Sequence, residues 1–273
     1  MSQVLCSTGT LIGRPNGRDY NLIYPLSAKL ECDGFEFMMY DTWYDKVSDI
    51  VQKLLEWKLT IPVMHCEKCI GEKISLGGAA NITEALKLFE VNCQMADKLN
   101  AKKLVIHLWN GKTSDYYFQN NLDTYKELAD ISEAYNLELL IENVVCANEN
   151  PMKRWCELAD KYPQIHFVFD TKMAAFHSEL EWLYKEEYAW LWKDKHITHY
   201  HVNDYAGGYK EWEKLKTLPV GDGNINFQKF FSFIKHIGYN DTFTIEATAF
   251  NKDGIVDVDM LNRCFKTVRD YLN

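Results

Sequence analysis

The stretch LELLIENVV (residues 137–145) joins an apolar run to a carboxylate and an amide. A segment that is apolar on both faces is typical of a strand buried in a parallel sheet. Glu142 and Asn143 follow the apolar residues directly, so this strand would carry a charged side chain to one end of the sheet. The fold therefore depends on whether other segments of the chain repeat this pattern.

The pattern recurs along the chain. Further short apolar runs are VLCSTGTL, DGFEFMMY, LTIPVMHCE, KKLVIHLWN, IHFVFDTK, ITHYHVNDY and TFTIEATAF. Longer segments between them repeat apolar residues at helical spacing, as in YDKVSDIVQKLLEWK, NITEALKLFEVNCQMADKLN, TYKELADISEAYN, MKRWCELADKY, LEWLYKEEYAWLWKDK, NFQKFFSFIKHI and DMLNRCFKTVRDYLN. Eight such units in 273 residues predict an α/β fold, a (β/α)₈ TIM barrel that forms one domain over residues 1–273. An open doubly wound sheet is disfavoured, because the turn STGTLIGRPNG lacks the glycine pattern of that fold.

Composition and charge exclude several classes of protein. Hydrophobic residues make up 47% and charged residues 25%, which is typical of a globular chain. No apolar run approaches the roughly 20 residues of a membrane helix, and MSQVLCSTGT lacks the features of a signal peptide. We therefore expect a cytoplasmic protein with no membrane partner. The net charge is -9, and basic residues alternate with acidic ones, so we expect no nucleic-acid partner.

Polar residues occur at the ends of most predicted strands. In a TIM barrel the carboxyl ends of the strands meet at one mouth. The residues there that can bind a metal or transfer a proton are Glu36, His65, His107, Glu142, Asp170, His201 and Glu246. Each one alone is compatible with a solvated side chain or a helix cap. Several carboxylates at one mouth would repel one another, however, and a divalent cation would relieve that repulsion.

At these residues the sequence resembles the xylose isomerase-like TIM-barrel superfamily. This superfamily includes sugar phosphate isomerases and epimerases, ketose 3-epimerases, inosose dehydratases and endonuclease IV. The motifs that carry the resemblance are IEN at 141–143, FDT at 169–171, HVND at 201–204, LPVGDGNINF at 218–227 and TIE at 244–246. The resemblance implies one divalent metal with the ligands Glu142, Asp170, His201 and Glu246. Three carboxylates and one imidazole favour Mn²⁺, with Mg²⁺, Co²⁺ and Zn²⁺ as alternatives.

The expected activity is that of an isomerase or epimerase of a sugar, sugar phosphate or related polyol. Glu142 and Glu246 would act as base and acid through a metal-stabilised enediolate. Residues expected to contact the carbohydrate substrate are Glu36, His65, His107, Trp109, Lys172 and Asn203. Two of these have alternative roles, because Trp109 can pack beneath the loops and Lys172 can neutralise the carboxylates.

The sequence departs from the family pattern after the sixth strand. Members often have a histidine three residues after the strand-six aspartate, where this chain has Met173. His177 lies one turn further, and we expect it on the surface at the start of a helix. This departure leaves a non-catalytic sugar-binding barrel open as an alternative.

Two other enzyme classes share parts of this site. A metal-dependent dehydratase of the inosose or dehydroshikimate type would begin with the same proton abstraction. An endonuclease IV-like nuclease fits less well, because the chain is acidic and EWEKLKTLPVGDG lacks the Asp-x-His of that enzyme. Relatives often dimerise, and the aromatic-rich late helices are compatible with a homodimer.

Overall fold

The strands of the computed structural model, which describes residues 2–273, form a closed barrel in sequence order. Their bounds are β1 Gln3–Ser7, β2 Gly34–Met38, β3 Val63–His65, β4 Lys103–Ile106, β5 Glu138–Glu142, β6 His166–Asp170, β7 Ile197–Val202 and β8 Thr242–Ile245. The strand pairs are parallel, for example β4 with β5 and β7 with β8. The predicted (β/α)₈ TIM barrel is confirmed, and every predicted apolar run overlaps one of these strands.

Helices occupy most of the connections between strands. Their bounds are α1 Ile23–Ser27, α2 Val47–Glu56, α3 Cys69–Leu76, α4 Ala79–Lys98, α5 Phe118–Ala134, α6 Pro151–Lys161, α7 Thr171–Phe176, α8 Trp190–Lys193, α9 Phe227–His236 and α10 Val258–Leu272. Side chains at the amino ends cap several helices. The side chain of Asn226 accepts a hydrogen bond from the backbone N–H of Lys229. The side chain of Asp257 accepts one from the backbone N–H of Met260. Such caps fix where a helix begins, because they satisfy N–H groups that lack a partner within the helix.

Residues 2–36 and 169–273 form one compact unit of the chain. Aromatic rings dominate its core, where Tyr200 stacks on Phe243 at 5.5 Å and packs edge-on against Phe230 at 5.7 Å. These rings are completely buried. Burial of each large apolar side chain contributes about 1.5–3 kcal/mol, so this core stabilises the strand ends that carry Asp170 and His201.

Residues 37–168 form the other compact unit. In its core Trp155 stacks on Phe167 with their ring centroids 4.3 Å apart. Helix α3 approaches the end of β4 closely at Gly71. A Cβ atom added at Gly71 would lie 1.9 Å from the carbonyl oxygen of His107, so only glycine fits there. This contact fixes the backbone at one of the predicted site residues.

The prediction of a continuous helix over LEWLYKEEYAWLWKDK (residues 180–195) is wrong. The chain forms the 3₁₀ turns Trp182–Tyr184 and Glu186–Tyr188 before the short helix α8. Lys185 between the turns has φ -82° and ψ 145°, an extended conformation that interrupts helical hydrogen bonding. The ring of Trp182 stacks on Tyr188 at 5.3 Å, so aromatic packing replaces the helical path.

Two further predictions concern the whole chain. The assignment of residues 1–273 to one domain stays a prediction. Within residues 2–273, no helix combines the length and the apolar character needed to cross a membrane.

Candidate functional site

Three buried side chains meet at the carboxyl ends of β3, β4 and β5: His65, His107 and Glu142, here called the His65 cluster. His65 ends β3 and Glu142 ends β5, while His107 follows β4 directly. Because β4 pairs in parallel with both neighbours, the three residues reach the same level. The Nε2 atoms of His65 and His107 lie 3.3 Å and 2.7 Å from Oε2 of Glu142.

The surroundings of His65 determine which of its ring nitrogens carries a proton. Nδ1 lies 2.7 Å from the carbonyl oxygen of Cys66 and donates a hydrogen bond to it. In the neutral ring, Nε2 then carries only a lone pair, and it faces the carboxylate of Glu142 at 3.3 Å. The lone pair of Nε2 and the carboxylate oxygen are both acceptors, and they remain this close when a proton or a cation between them offsets their repulsion. The His65 cluster is therefore suited to a positive charge.

In His107 the proton lies on Nε2, whereas in His65 it lies on Nδ1. Burial lowers its pKa to about 4, although the carboxylate of Glu142 acts in the other direction. The ring is therefore neutral near pH 7, and its Nε2–H donates to Glu142. This hydrogen bond fixes the orientation of the carboxylate, which is a predicted metal ligand and one of the two predicted acid–base groups.

Three other buried groups meet inside the barrel: Glu36 of β2 with His199 and His201 of β7, here called the His201 cluster. The Nε2 atoms of His199 and His201 lie 3.0 Å and 3.1 Å from Oε2 of Glu36. Burial raises the pKa of Glu36, but the charge of His201 and hydrogen bonds from both rings outweigh it and hold the pKa well below its usual range. Oε1 of Glu36 has no hydrogen-bond partner among the described residues.

Glu36 was expected to contact substrate, and this stays a prediction. Its side chain is completely buried and bonded to two histidines, so it orients them. In the neutral ring, the Nε2–H of His201 donates to Glu36, and Nδ1 then carries the lone pair that a metal requires. A carboxylate that fixes a metal-binding histidine in this way is a common feature of metal sites.

Asp170 lies next to His201, and the distance between their side chains shows whether both could bind one metal ion. Oδ2 of Asp170 is 3.9 Å from Nδ1 of His201. This separation is too long for a hydrogen bond, but two ligands that each lie about 2.0–2.2 Å from one ion are about 3–4 Å apart. The donor types and their spacing therefore fit a divalent cation.

Asn203 was also expected to contact substrate, which stays a prediction, and its side chain forms hydrogen bonds at the end of β6. Its Nδ2 donates to Oδ2 of Asp170 at 2.7 Å. Its Oδ1 accepts from the backbone N of Lys172 at 2.9 Å and from Oγ1 of Thr171 at 3.1 Å. The amide is completely buried and its donors and acceptors are engaged with the end of β6. Asn203 therefore positions Asp170.

Glu246 follows β8 directly and belongs to neither of the two clusters. Its backbone N donates to the carbonyl oxygen of Val202 at 3.2 Å, which ties it to the end of β7. Its side chain is half-buried. The structure thus places this predicted ligand directly after a strand, with its side chain half-buried.

The other predicted contacts differ in exposure. Trp109 is completely buried, packs edge-on against Phe118 at 5.6 Å, and donates from Nε1 to the carbonyl oxygen of Val144. This burial favours the alternative of packing beneath the loops, and a contact with the substrate stays a prediction. Lys172 is nearly buried at the end of β6, where its Nζ donates to Oγ1 of Thr217 at 2.9 Å.

The segment after Asp170 supports this carboxylate, and it differs from the expectation for His177. The backbone N of Met173 donates to Oδ1 of Asp170 at 2.7 Å, so this residue supports the carboxylate through its main chain. His177 does not begin a helix on the surface. It follows α7, is buried, and packs edge-on against Phe176 at 5.0 Å.

The sequence analysis missed His199. Residues two apart on a strand point to the same side, so His199 enters the barrel together with His201. Its Nδ1 lies 2.6 Å from Oγ1 of Thr242, and Nε2 also approaches Oγ1 of Thr244 at 3.1 Å. The signal in the sequence is the alternation HYH at 199–201.

Comparison with known proteins identifies similar chains. An uncharacterized protein of Methanocaldococcus jannaschii is 25% identical over 185 residues, which is 61% of this chain and 59% of that protein. The crystal structure of a D-allulose 3-epimerase from Methylomonas sp. in complex with D-allulose is 14% identical, with a TM-score of 0.72 and coverage of 99% and 97% of the two chains. The IOLI protein, solved with a zinc atom, is 17% identical, with a TM-score of 0.71 and coverage of 99% and 98%.

At such identities the solved structures support the fold alone. The family model for the xylose isomerase-like TIM barrel, however, matches residues 25–263, which is most of the sequence. The chain therefore belongs to the family of xylose isomerase-like TIM barrels.

Proposed function

We propose that this chain is a divalent-metal-dependent isomerase or epimerase of a sugar, sugar phosphate or related polyol. The observation that carries the proposal is the 3.9 Å between Nδ1 of His201 and Oδ2 of Asp170, the spacing of two ligands on one ion. A D-allulose 3-epimerase of the same fold, solved in complex with D-allulose, supports a carbohydrate substrate.

The proposed metal ligands are Glu142, Asp170, His201 and Glu246. They end, or lie at the end of, four consecutive strands, β5 to β8. Parallel strands in a TIM barrel deliver these ends to a single mouth. Three carboxylates with one imidazole favour Mn²⁺, and Mg²⁺, Co²⁺ and Zn²⁺ accept the same donors. When bound, a divalent cation polarises a substrate carbonyl and makes the neighbouring C–H more acidic.

Glu142 and Glu246 form the proposed acid–base pair. One carboxylate removes the proton from the carbon next to the carbonyl, and the C–H electron pair moves to form an enediolate. The other glutamate returns a proton, to the opposite face in an epimerase or to the adjacent carbon in an isomerase. General acid–base catalysis of this kind contributes about 10²–10⁴-fold. The hydrogen bond from His107 holds Glu142 in place for this step.

The first test combines metal content with proton exchange. We expect about one Mn or Co per chain in protein purified without chelator, or one Mn²⁺ taken up on titration. In deuterated water, one member of a panel of ketoses, sugar phosphates and polyols should acquire deuterium next to its carbonyl. Light scattering of the same sample tests the homodimer, which stays a prediction.

Three results would contradict the proposal. No metal bound after titration would remove the proposed centre. Two or three Zn²⁺ per chain would favour the nuclease-like alternative, in which the His65 cluster also binds metal. A product lighter by one water would identify a dehydratase.

A further inference from the structure

Lys172 is a nearly buried cation for which the described residues provide no counter-charge. Its side chain is 7% exposed. Nζ donates one hydrogen bond, of 2.9 Å, to the neutral hydroxyl of Thr217, and no carboxylate among residues 2–273 forms an ion pair with it. No ion pair therefore joins Lys172 directly to Asp170, and neutralisation of the carboxylates at longer range stays a prediction. A buried ammonium without a partner is unfavourable, so its presence indicates that an anion arrives from outside the chain.

The backbone of Lys172 is fixed beside the proposed metal centre. Its N–H donates to Oδ1 of Asn203 at 2.9 Å, and Nδ2 of the same amide donates to Asp170 at 2.7 Å. One side chain thus orients both the metal ligand and the lysine. The main chain of Lys172 is therefore held close to Asp170.

Thr217 connects the lysine to the region after β8. Its carbonyl oxygen accepts a hydrogen bond of 3.0 Å from the backbone N of Thr248, two residues beyond Glu246. The Thr217 hydroxyl is half-buried and accepts from Lys172, so its own proton can be donated to a ligand. The pair therefore offers an ammonium and a hydroxyl donor between the end of β6 and the proposed base.

We propose that Lys172 and Thr217 bind the acidic group of an anionic sugar, either a sugar acid or a sugar phosphate. The inference rests on the proposed function and deepens it by naming the substrate class. A neutral ketose would leave the ammonium uncompensated. The chain carries a net charge of -9, which disfavours anions at long range, so a local cation is needed for such a substrate to bind.

The test measures the binding of three probes by calorimetry: D-gluconate as the carboxylate, D-fructose 6-phosphate as the phosphate, and D-fructose as the neutral sugar. We expect at least one anionic probe to bind the Mn²⁺-loaded protein about 10- to 100-fold more tightly than D-fructose, as charge-assisted hydrogen bonds allow. The probe with the larger preference identifies the acidic group. Lys172→Met should remove the preference, Thr217→Val should reduce it, and Lys172→Arg should retain part of it.

The matched control is Lys216→Met, which removes the same charge from an exposed position next to Thr217. It should keep the preference. Thermal unfolding of each variant shows whether it folds, and Lys172→Met should unfold at or above the wild-type temperature, because a buried charge is removed. Equal binding of all three probes by the wild type, or an unchanged preference in Lys172→Met, would overturn the inference.

The same experiment separates this inference from the proposed function. Mn²⁺ uptake without any anion preference would refute the anionic substrate and leave the metal centre in place. An anion preference that depends on Lys172 in protein that binds no metal would support the anion site and refute the metal-dependent reaction.

Discussion

The Nε2 atom of His107 lies 2.7 Å from Oε2 of Glu142, and the two side chains are only 4% and 1% exposed. A histidine next to a carboxylate usually gains a proton more easily, yet burial outweighs this effect and lowers the pKa of His107 to about 4. The neutral imidazole is therefore part of the folded state. This pair makes stability dependent on pH.

The first prediction concerns that pH dependence in chelator-treated protein. The pKa of His107 falls from 6.5 to about 4 on folding, so the unfolded chain binds more protons between these values. The free energy of unfolding should be highest above pH 6.5 and fall by up to about 1.4 kcal/mol per pH unit towards pH 4. Urea unfolding at several pH values measures this slope. His107→Asn should reduce it, whereas His236→Asn, at an exposed position, should not. An unchanged slope in His107→Asn would assign the effect to other groups.

The second prediction concerns the proposed base. Glu246→Gln should lower proton exchange into the substrate by about 100-fold or more, because the amide cannot accept the proton. The side chain is half-buried, so the free energy of unfolding of the metal-free protein should change by less than about 0.5 kcal/mol. The exposed Glu213→Gln serves as control for the loss of one charge. Substantial exchange in Glu246→Gln would exclude this residue as the base.

The third prediction concerns Glu36 as an orienting residue. Glu36→Gln keeps the shape of the side chain but removes the charge that holds Nε2 of His201 at 3.1 Å. The affinity for Mn²⁺ should fall by about 10–100-fold, which calorimetry measures without any substrate. Thr244→Val removes only the hydroxyl near His199 and should leave Mn²⁺ affinity close to that of the wild type. Equal losses in both variants would indicate a general effect of core disruption.

The fourth prediction concerns the glycine turn after β7. The buried carboxylate of Asp204 accepts hydrogen bonds from the backbone N–H groups of Tyr205, Gly221, Gly223 and Ile225. Asp204→Ala should lower the free energy of unfolding by about 3 kcal/mol or more, because four backbone donors lose their buried acceptor. Asp222→Asn, at an exposed position of the same turn, should have little effect. A small loss in Asp204→Ala would show that water replaces the carboxylate.

The sequence was sufficient to predict the strands because parallel barrel strands are apolar on both faces. The run LELLIENVV contains β5 at Glu138–Glu142, and each of the other runs overlaps its strand. Helical spacing was less reliable. Residues 180–195 have helical periodicity, but extended Lys185 interrupts the helix, and the stacking of Trp182 on Tyr188 depends on tertiary packing.

The site was predictable where local motifs mark strand ends, and less so where residues meet across the chain. The motifs place His65, His107, Glu142, Asp170 and His201 at or near the ends of their strands. The role of Glu36 in orienting the two histidines could not be predicted from a local motif. It bonds to His199, 163 residues away, and only the folded barrel brings β2 and β7 residues together.

The close approach of Gly71 to His107 has a consequence for laboratory evolution. A library that randomises residues at the mouth of the barrel to change substrate preference will treat α3 as scaffold. Gly71 has no side chain that could contact a substrate there. Any substitution there would place a carbon 1.9 Å from the carbonyl oxygen of His107 and displace the strand end that carries the imidazole. Gly71 therefore belongs among the positions held constant, and it sets a mutational constraint on the site without taking part in its chemistry.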